Sequence, residues 1–273
     1  MPLPKRPRVV ITGAASGFGR ALALALAARS ARLVLSDVDV AGCQATAALA
    51  LEAGAGSAVA LRCDVTRPED LEALAEAAGD GVDLLINNAG VATAGRVGEL
   101  SLEDWRWTLD VDLWGAVHGC HVFVPILRRQ GHGHILNVAS AAGLLNPPMM
   151  GAYNVAKAGV VALSETLAGE LAGTGVGVTV LCPTFFRTNI AASGRYADDA
   201  ARRSATRLVE GGWTAETVAR LALDAVDAGL LHAVPMPDGR WAWRLKRALP
   251  GASPRLLARA VAVMMRASGP KAP

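Results

Sequence analysis

Short runs of Val, Ile and Leu recur along this chain, separated by Ala-rich stretches of helical period, and that alternation restricts the fold more than any other feature. A run that is apolar on both faces reads as a strand buried on both sides, and parallel strands of that kind need helical crossovers between them. The runs are Arg8 to Thr12, Arg32 to Ser36, Ala58 to Leu61, Val82 to Asn87, His134 to Ala139 and Val176 to Leu181, with a weaker seventh at Leu231 to Pro235. Helices are expected from Phe18, Val40, Pro68, Leu102, Ala152 and Thr214. Ser101 followed by Asp104 reads as a capping box, and Pro68 suits the first turn of a helix. The pattern predicts an α/β fold: a doubly wound parallel sheet of about seven strands with helices on both faces.

No Pro/Gly-rich linker or internal repeat divides the 273 residues, and a hydrophobic share of 52% against 19% charged excludes a disordered chain. One domain is expected over residues 1–239, including an irregular substrate lid at about residues 183–212, with residues 240–273 as a basic C-terminal helical extension packed on the same domain. The net charge of +3 conceals an asymmetry. Residues 240–273 hold eight Lys/Arg and no Asp/Glu, while residues 1–239 hold 19 basic against 24 acidic groups. Within the extension, Ser253 to Ala267 reads as an amphipathic helix with Arg255, Arg259 and Arg266 on its polar side. Packing on the body or a sister subunit is the expected role, with peripheral membrane contact the alternative. No DNA-binding motif accompanies the charge, so no nucleic-acid partner is expected.

Cys43, Cys63, Cys120 and Cys182 are scattered, without a C-x-x-C pair or His at zinc-ligand spacing, and read as buried small hydrophobes. No metal is expected. The basic N-terminus runs directly into Val9-Val10-Ile11-Thr12-Gly13, too short a core for a signal peptide, and no run approaches the roughly 18 apolar residues of a spanning helix. The expected setting is cytoplasmic.

The first strand ends in Thr12-Gly13-Ala14-Ala15-Ser16-Gly17-Phe18-Gly19 and opens at once into a helix. Three glycines in that position let the backbone turn tightly and approach a pyrophosphate, which then sits on the free N–H groups and positive end of the helix. The second strand ends at Ser36-Asp37. An acid there can accept hydrogen bonds from both ribose hydroxyls and would repel a 2′-phosphate, so it favours NAD, with NADP the alternative.

Farther along, Tyr153-Asn154-Val155-Ala156-Lys157 places a phenol and an ammonium four residues apart, on one helix face. With two Tyr and four Lys in the chain, a chance pair at this spacing is expected only about 0.03 times. A phenol with its ordinary pKa near 10 is a poor base at neutral pH, and a neighbouring Lys acts to depress it. Ser140 stands just past the strand His134 to Ala139, and carboxyl ends of strands are where such sheets build their sites.

With these residues assembled, the chain resembles the short-chain dehydrogenase/reductase family over about residues 8 to 190, and the resemblance implies a Rossmann-like fold. It rests on T-G-x-x-x-G-x-G at Thr12 to Gly19, Asp64-Val65, Asn87-Asn88-Ala89-Gly90, Ser140, Tyr153 and Lys157. It implies hydride transfer between a nicotinamide and a carbonyl/alcohol pair, with Tyr153 as general acid/base. Lys157 would hold the nicotinamide ribose and depress the phenol, and Ser140 would hydrogen-bond the substrate oxygen. On the cofactor side it implies contacts from Thr12, Gly13, Ser16, Gly17, Phe18, Gly19, Asp37, Asp64, Val65, Asn88, Ala89, Gly90, Tyr153 and Lys157, with Pro183 and Thr188 toward the carboxamide.

Two positions depart from the family pattern. Asp112 stands where Asn is usual, an Asn that supports a proton relay to the Lys largely through its backbone carbonyl. Either the replacement is near-isosteric and activity persists, or the carboxylate retunes Lys157 and Tyr153. Thr184 stands after Cys182-Pro183 where Gly is common.

Leu144 to Met150, between Ser140 and Tyr153, is apolar and rich in adaptable Met, which points to a hydrophobic substrate. The expected function is an NAD-dependent oxidoreductase acting on a hydrophobic secondary alcohol or ketone. An NADP-linked carbonyl or 3-ketoacyl reductase is the chemical alternative, and a catalytically idle dinucleotide-binding sensor or membrane adaptor the non-enzymatic one. The resemblance further implies a homodimer or homotetramer.

Overall fold

In the computed structural model, which describes residues 2–79, 81–252 and 255–259, seven strands form one parallel sheet in the order β3-β2-β1-β4-β6-β7-β9. These are β1 (Arg8–Thr12), β2 (Arg32–Asp37), β3 (Ser57–Arg62), β4 (Leu84–Asn87), β6 (Gly133–Val138), β7 (Val176–Leu181) and β9 (His232–Ala233). Two short strands outside the sheet, β5 (Thr93–Ala94) and β8 (Arg195–Tyr196), pair with each other in parallel. The chain reverses direction across the sheet between β1 and β4, and such a switch point opens a crevice at the carboxyl ends of its strands.

The side-chain period of two divides the apolar runs between two cores. Val9 and Ile11 of β1 face a cluster built with Leu22 and Leu26 of α1 (Gly17–Ala27) and Val218, Ala222 and Val226 of α9 (Ala215–Asp227). Val10 faces the opposite way, among Leu71 and Leu74 of α3 (Pro68–Ala78) and Phe123 and Leu127 of α5 (Gly115–Gln130). α2 (Val40–Glu52) and α4 (Leu102–Leu109) begin under side-chain caps, Asp39 accepting from Gly42 N and Ser101 from Asp104 N, and the Ser101 hydroxyl in turn donates to Asp104 Oδ2. α6 (Ala141–Leu145) and α7 (Gly151–Glu170) follow β6 and carry the residues of chemical interest.

The structure corrects the sequence reading in three places. The stretch expected to be irregular at 183–212 contains a 3₁₀ turn (Asn189–Ala191), β8, and the 12-residue α8 (Asp199–Glu210). α8 buries only Ala201 and Val209 and is otherwise largely polar, and Asp198 caps it by accepting from Ala201 N at 2.7 Å. The helix expected from Leu102 continues through a π-helical segment at Asp110–Trp114 into α5. Finally, α10 (Pro237–Ala248) runs across residue 239, where the basic extension was drawn to begin. Of the amphipathic segment expected at 253–267, all but residues 255–259 lies outside the described residues. Among the described residues, no helix is long and apolar enough to cross a membrane.

Candidate active site

The glycine turn is locked before any ligand enters. Gly13 adopts φ +67°, and a Cβ there would lie 2.7 Å from Ala89 Cα; one on Gly19 would overlap the Gly13 carbonyl. Thr12 Oγ1 accepts from Asn88 N at 3.0 Å and Ala89 N at 3.1 Å, while Asn88 Nδ2 donates to the carbonyls of Thr12 (2.8 Å) and Gly13 (2.9 Å). Thr12, Asn88 and Ala89 thus bind the turns after β1 and β4 into one unit. Ser16 is the extended N-cap of α1 and makes no side-chain cap bond, so the first N–H groups of Gly17, Phe18 and Gly19 open on the crevice. This is a cradle that fits a diphosphate: unpaired helix donors, with no side chain where the backbone must approach closely.

Asp37, at the end of β2, accepts from Ala15 N (2.9 Å) through Oδ2 and from Asp39 N (3.0 Å) through Oδ1. No ion pair to Asp37 occurs among the described residues. The Asp64 carboxylate folds back on its own turn, Oδ1 accepting from Thr66 N and Oγ1, and Val65 is buried with its carbonyl bonded to His118 Nδ1. Arg20, which the sequence reading passed over, donates through Nε to Thr46 Oγ1 at 2.9 Å and through Nη2 to the Ala15 carbonyl. It ties the turn to α2. Thr188 caps the 3₁₀ turn and lies across from Gly17 on one wall of a surface cleft of about 510 Å³ shared with Arg20, Arg187 and Asn189. Phe186 packs edge-on against Phe18, with centroids 5.0 Å apart, and the Pro183 carbonyl accepts from Ala141 N.

The reactive groups converge at the carboxyl end of β6. Ser140 is the N-cap of α6, its Oγ accepting from Ala142 N at 3.1 Å, and it hydrogen-bonds the Tyr153 phenol. One turn along α7 from Tyr153, Lys157 is buried, with Nζ 5.6 Å from the Tyr153 ring centroid. Nζ donates to the Val138 carbonyl at 3.2 Å and stands 3.4 Å from Asp112 Oδ2. Asp112 sits in the π-helical segment, is buried, and takes Val91 N on Oδ1 at 2.7 Å; Oδ2 has no hydrogen bond of its own. A π turn inside a helix is a common device for aiming a group into a site. Gly90 lies against this pair: a Cβ there would be 3.2 Å from Asp112 Oδ1 and 3.3 Å from Lys157 Nζ.

Electrostatics set burial against the charged neighbours at each of the three groups. Burial pushes the Tyr153 phenol above its ordinary value; Lys157 and the Ser140 hydrogen bond pull it down, and Asp112 pushes it up again. Lys157 acts downward as expected, and burial outweighs it. For Lys157 itself burial acts downward, yet the Asp112 carboxylate lifts the ammonium above its ordinary value. Burial raises the Asp112 carboxyl, against the opposing pull of Lys157 and Val91 N–H.

The loop expected to form a substrate wall is pinned on both sides. Asn154 Nδ2 donates to the Pro147 carbonyl at 2.7 Å, and Gly95 N donates to the Met149 carbonyl at 2.7 Å, with Met149 held at φ +69°. Arg195, at the start of β8, is occupied within the protein. It pairs with Asp104 (3.0 Å) and Glu103 (3.6 Å) and lies 4.2 Å over the Trp107 ring. The four cysteines are buried and free, and burial lifts Cys182 behind the site to about 12. Among the described residues no cluster suited to a metal occurs.

Comparison with known proteins agrees with this geometry. The sequence profile of the family described as short chain dehydrogenase matches residues 7–199. Two Mycobacterium tuberculosis proteins named as inferred oxidoreductases are similar. SadH is 42% identical over 194 residues, covering 69% of this chain and 70% of SadH. EphD is 41% identical over 189 residues, covering 68% of this chain, which therefore spans about a third (32%) of the longer EphD. Among solved structures, a short chain dehydrogenase/reductase from Burkholderia phymatum in complex with NAD superposes with a TM-score of 0.84 at 39% identity, covering 89% of this chain and 94% of that one.

Proposed function

Because the chain belongs to the short-chain dehydrogenase family of oxidoreductases, we propose that it transfers hydride between NAD and a hydrophobic secondary alcohol or the corresponding ketone. The observation that carries the reading is the convergence of Ser140, Tyr153 and Lys157 at the carboxyl end of β6, beside a glycine turn that has room for a diphosphate. Bound nicotinamide would supply the hydride acceptor and donor. The chain's own groups handle the proton and the charge. Tyr153 takes the hydroxyl proton in oxidation and returns it in reduction, while Ser140 donates to the same substrate oxygen. The Lys157 ammonium, held by the Val138 carbonyl and Asp112, supplies the positive field that favours phenolate and alkoxide.

Asp37 favours the unphosphorylated ribose of NAD, since a carboxylate without a cationic partner repels a 2′-phosphate. That weighs against the NADP-linked 3-ketoacyl reductase reading. Gly13, Gly17 and Gly19 would hold the diphosphate, Asp64, Val65 and Gly90 would line the adenosine side, and Pro183 with Thr188 would sit toward the carboxamide. Leu144 to Met150, between Ser140 and Tyr153, would make the substrate side apolar. Buried unpaired cysteines suit a reducing compartment, and we place the enzyme in the cytoplasm as a homo-oligomer joined through the face that exposes Trp114 and Val155.

Purified protein assayed with NAD and NADP against steroid, terpenoid, aromatic and acyl alcohols, read by absorbance of the reduced nicotinamide, tests the reading. Turnover is expected with NAD, and Asp37→Ala should relax the preference. Tyr153→Phe should lower kcat by at least about 100-fold while NAD binding persists. Turnover unchanged in Tyr153→Phe, or a wild type that prefers NADPH, refutes it.

A further inference from the structure

We infer that the outer face of α10 is a docking surface for an anionic lipid bilayer. The helix has two distinct sides. Its inner side is fastened to the body: Gly239 is buried against Thr184 and Val234, and Trp243 lies against His232 with centroids 5.2 Å apart. His232 is itself paired with Glu165 at 2.8 Å. Lys246 Nζ donates to the Leu144 carbonyl at 2.6 Å, at the C-terminal end of α6, where a cation also complements the helix dipole. Asp238, the one acid of the helix, is turned to Thr184 Oγ1.

The outer side carries Trp241, Leu245 and Leu249 at spacings of four, a stripe along one face. They are 70%, 50% and 47% exposed, although large apolar side chains at consecutive turns normally find cover. Arg240 and Arg244 are exposed along the border of that stripe, Arg244 lying 5.8 Å over the Trp241 ring, and Arg247 is exposed farther round, 5.4 Å over the Trp243 ring. A Trp and leucines flanked by arginines match the two layers of a bilayer surface: acyl boundary for the stripe, phosphate headgroups for the guanidinium groups.

Charge selects lipid over a second copy. Residues 240–273 contain eight Lys/Arg and no Asp/Glu, so two such faces brought together symmetrically would set cation against cation. An anionic surface offers the complementary charge across its whole plane. Through Lys246 and α6, the docked face would lie next to the wall that holds Leu144 and Leu145.

The test is co-sedimentation of the full chain with vesicles of phosphatidylcholine, with and without phosphatidylglycerol, at low and high salt. Binding is expected only to the anionic vesicles and should weaken with salt. Arg240→Gln/Arg244→Gln/Arg247→Gln should lower the partition about 100-fold. Trp241→Ser/Leu245→Ser should abolish it, with an unchanged thermal melt showing that the fold is intact. Binding that survives the Trp241/Leu245 change, or no binding by the wild type, overturns the proposal. So does a fall in sedimentation mass on that change, since it would make the face a subunit contact. None of these readouts depends on the reaction assigned above.

Discussion

Asp112 places a buried carboxylate 3.4 Å from the ammonium that serves the phenol, and its charge acts on both groups. It raises the Tyr153 phenol, adding to burial, so the phenolate that the proposed alcohol oxidation calls on forms only as pH rises past that elevated pKa. Asp112→Asn removes this contribution. The alkaline rise of kcat/KM for oxidation should move to lower pH, with turnover kept because the Val138 carbonyl still holds Lys157. The Lys157 ammonium, losing the partner that offsets its burial, should also titrate earlier. Rate profiles of the two proteins against pH check this; an unmoved limb or a dead variant contradicts it. At this scale the sequence made Ser140, Tyr153 and Lys157 readable because helical spacing alone puts the phenol and ammonium together. It did not reveal the net rise of the phenol, which depends on burial by segments far apart in sequence, nor the Asp112 contact, which depends on a π turn that no residue pattern announces.

Among the elements, α8 gives order to the stretch that the residue pattern presented as irregular. Its anchor points are the Asp198 cap and the neighbouring Arg195, clamped by Asp104 and Trp107. Removing the cap in Asp198→Ala should cost about 1 kcal/mol of local helix stability. Amide exchange over residues 199–210 should quicken roughly fivefold, and substrate KM should rise with kcat little changed. Exchange as slow as in the wild type would show that packing of Ala201 and Val209 carries the helix by itself. The sheet strands were legible to within about two residues because the apolar runs are bounded by turn residues and, apart from the half-exposed edge strand β3, are mostly buried. α6 spans five residues and β5 and β8 two each, too short for a period to show in the sequence, and α8 is mostly polar and buries only two side chains.

For the molecule as a whole, acid is a predictable weakness. His134 on β6 is 3% exposed, bonded through Nε2 to Thr179 Oγ1, and burial lowers it to about 4 from an ordinary 6.5. The unfolded chain takes up that proton first, so the stability this group contributes is complete above pH 6.5 and declines as pH falls toward 4. The loss is on the order of 3 kcal/mol. Urea unfolding at pH 7 and pH 4.5 should show it, and a His134→Gln protein should have a flatter profile over the same interval; parallel profiles would assign the acid sensitivity elsewhere. The order β3-β2-β1-β4-β6-β7-β9 also has a temporal consequence. The first 87 residues supply four adjacent strands, so a chain emerging N-terminus first has the neighbours of its glycine turn in hand before Asp112, Ser140, Tyr153 and Lys157 have been synthesised. The half that would grip the dinucleotide is thus available on the ribosome while the half that would react with substrate is still being translated.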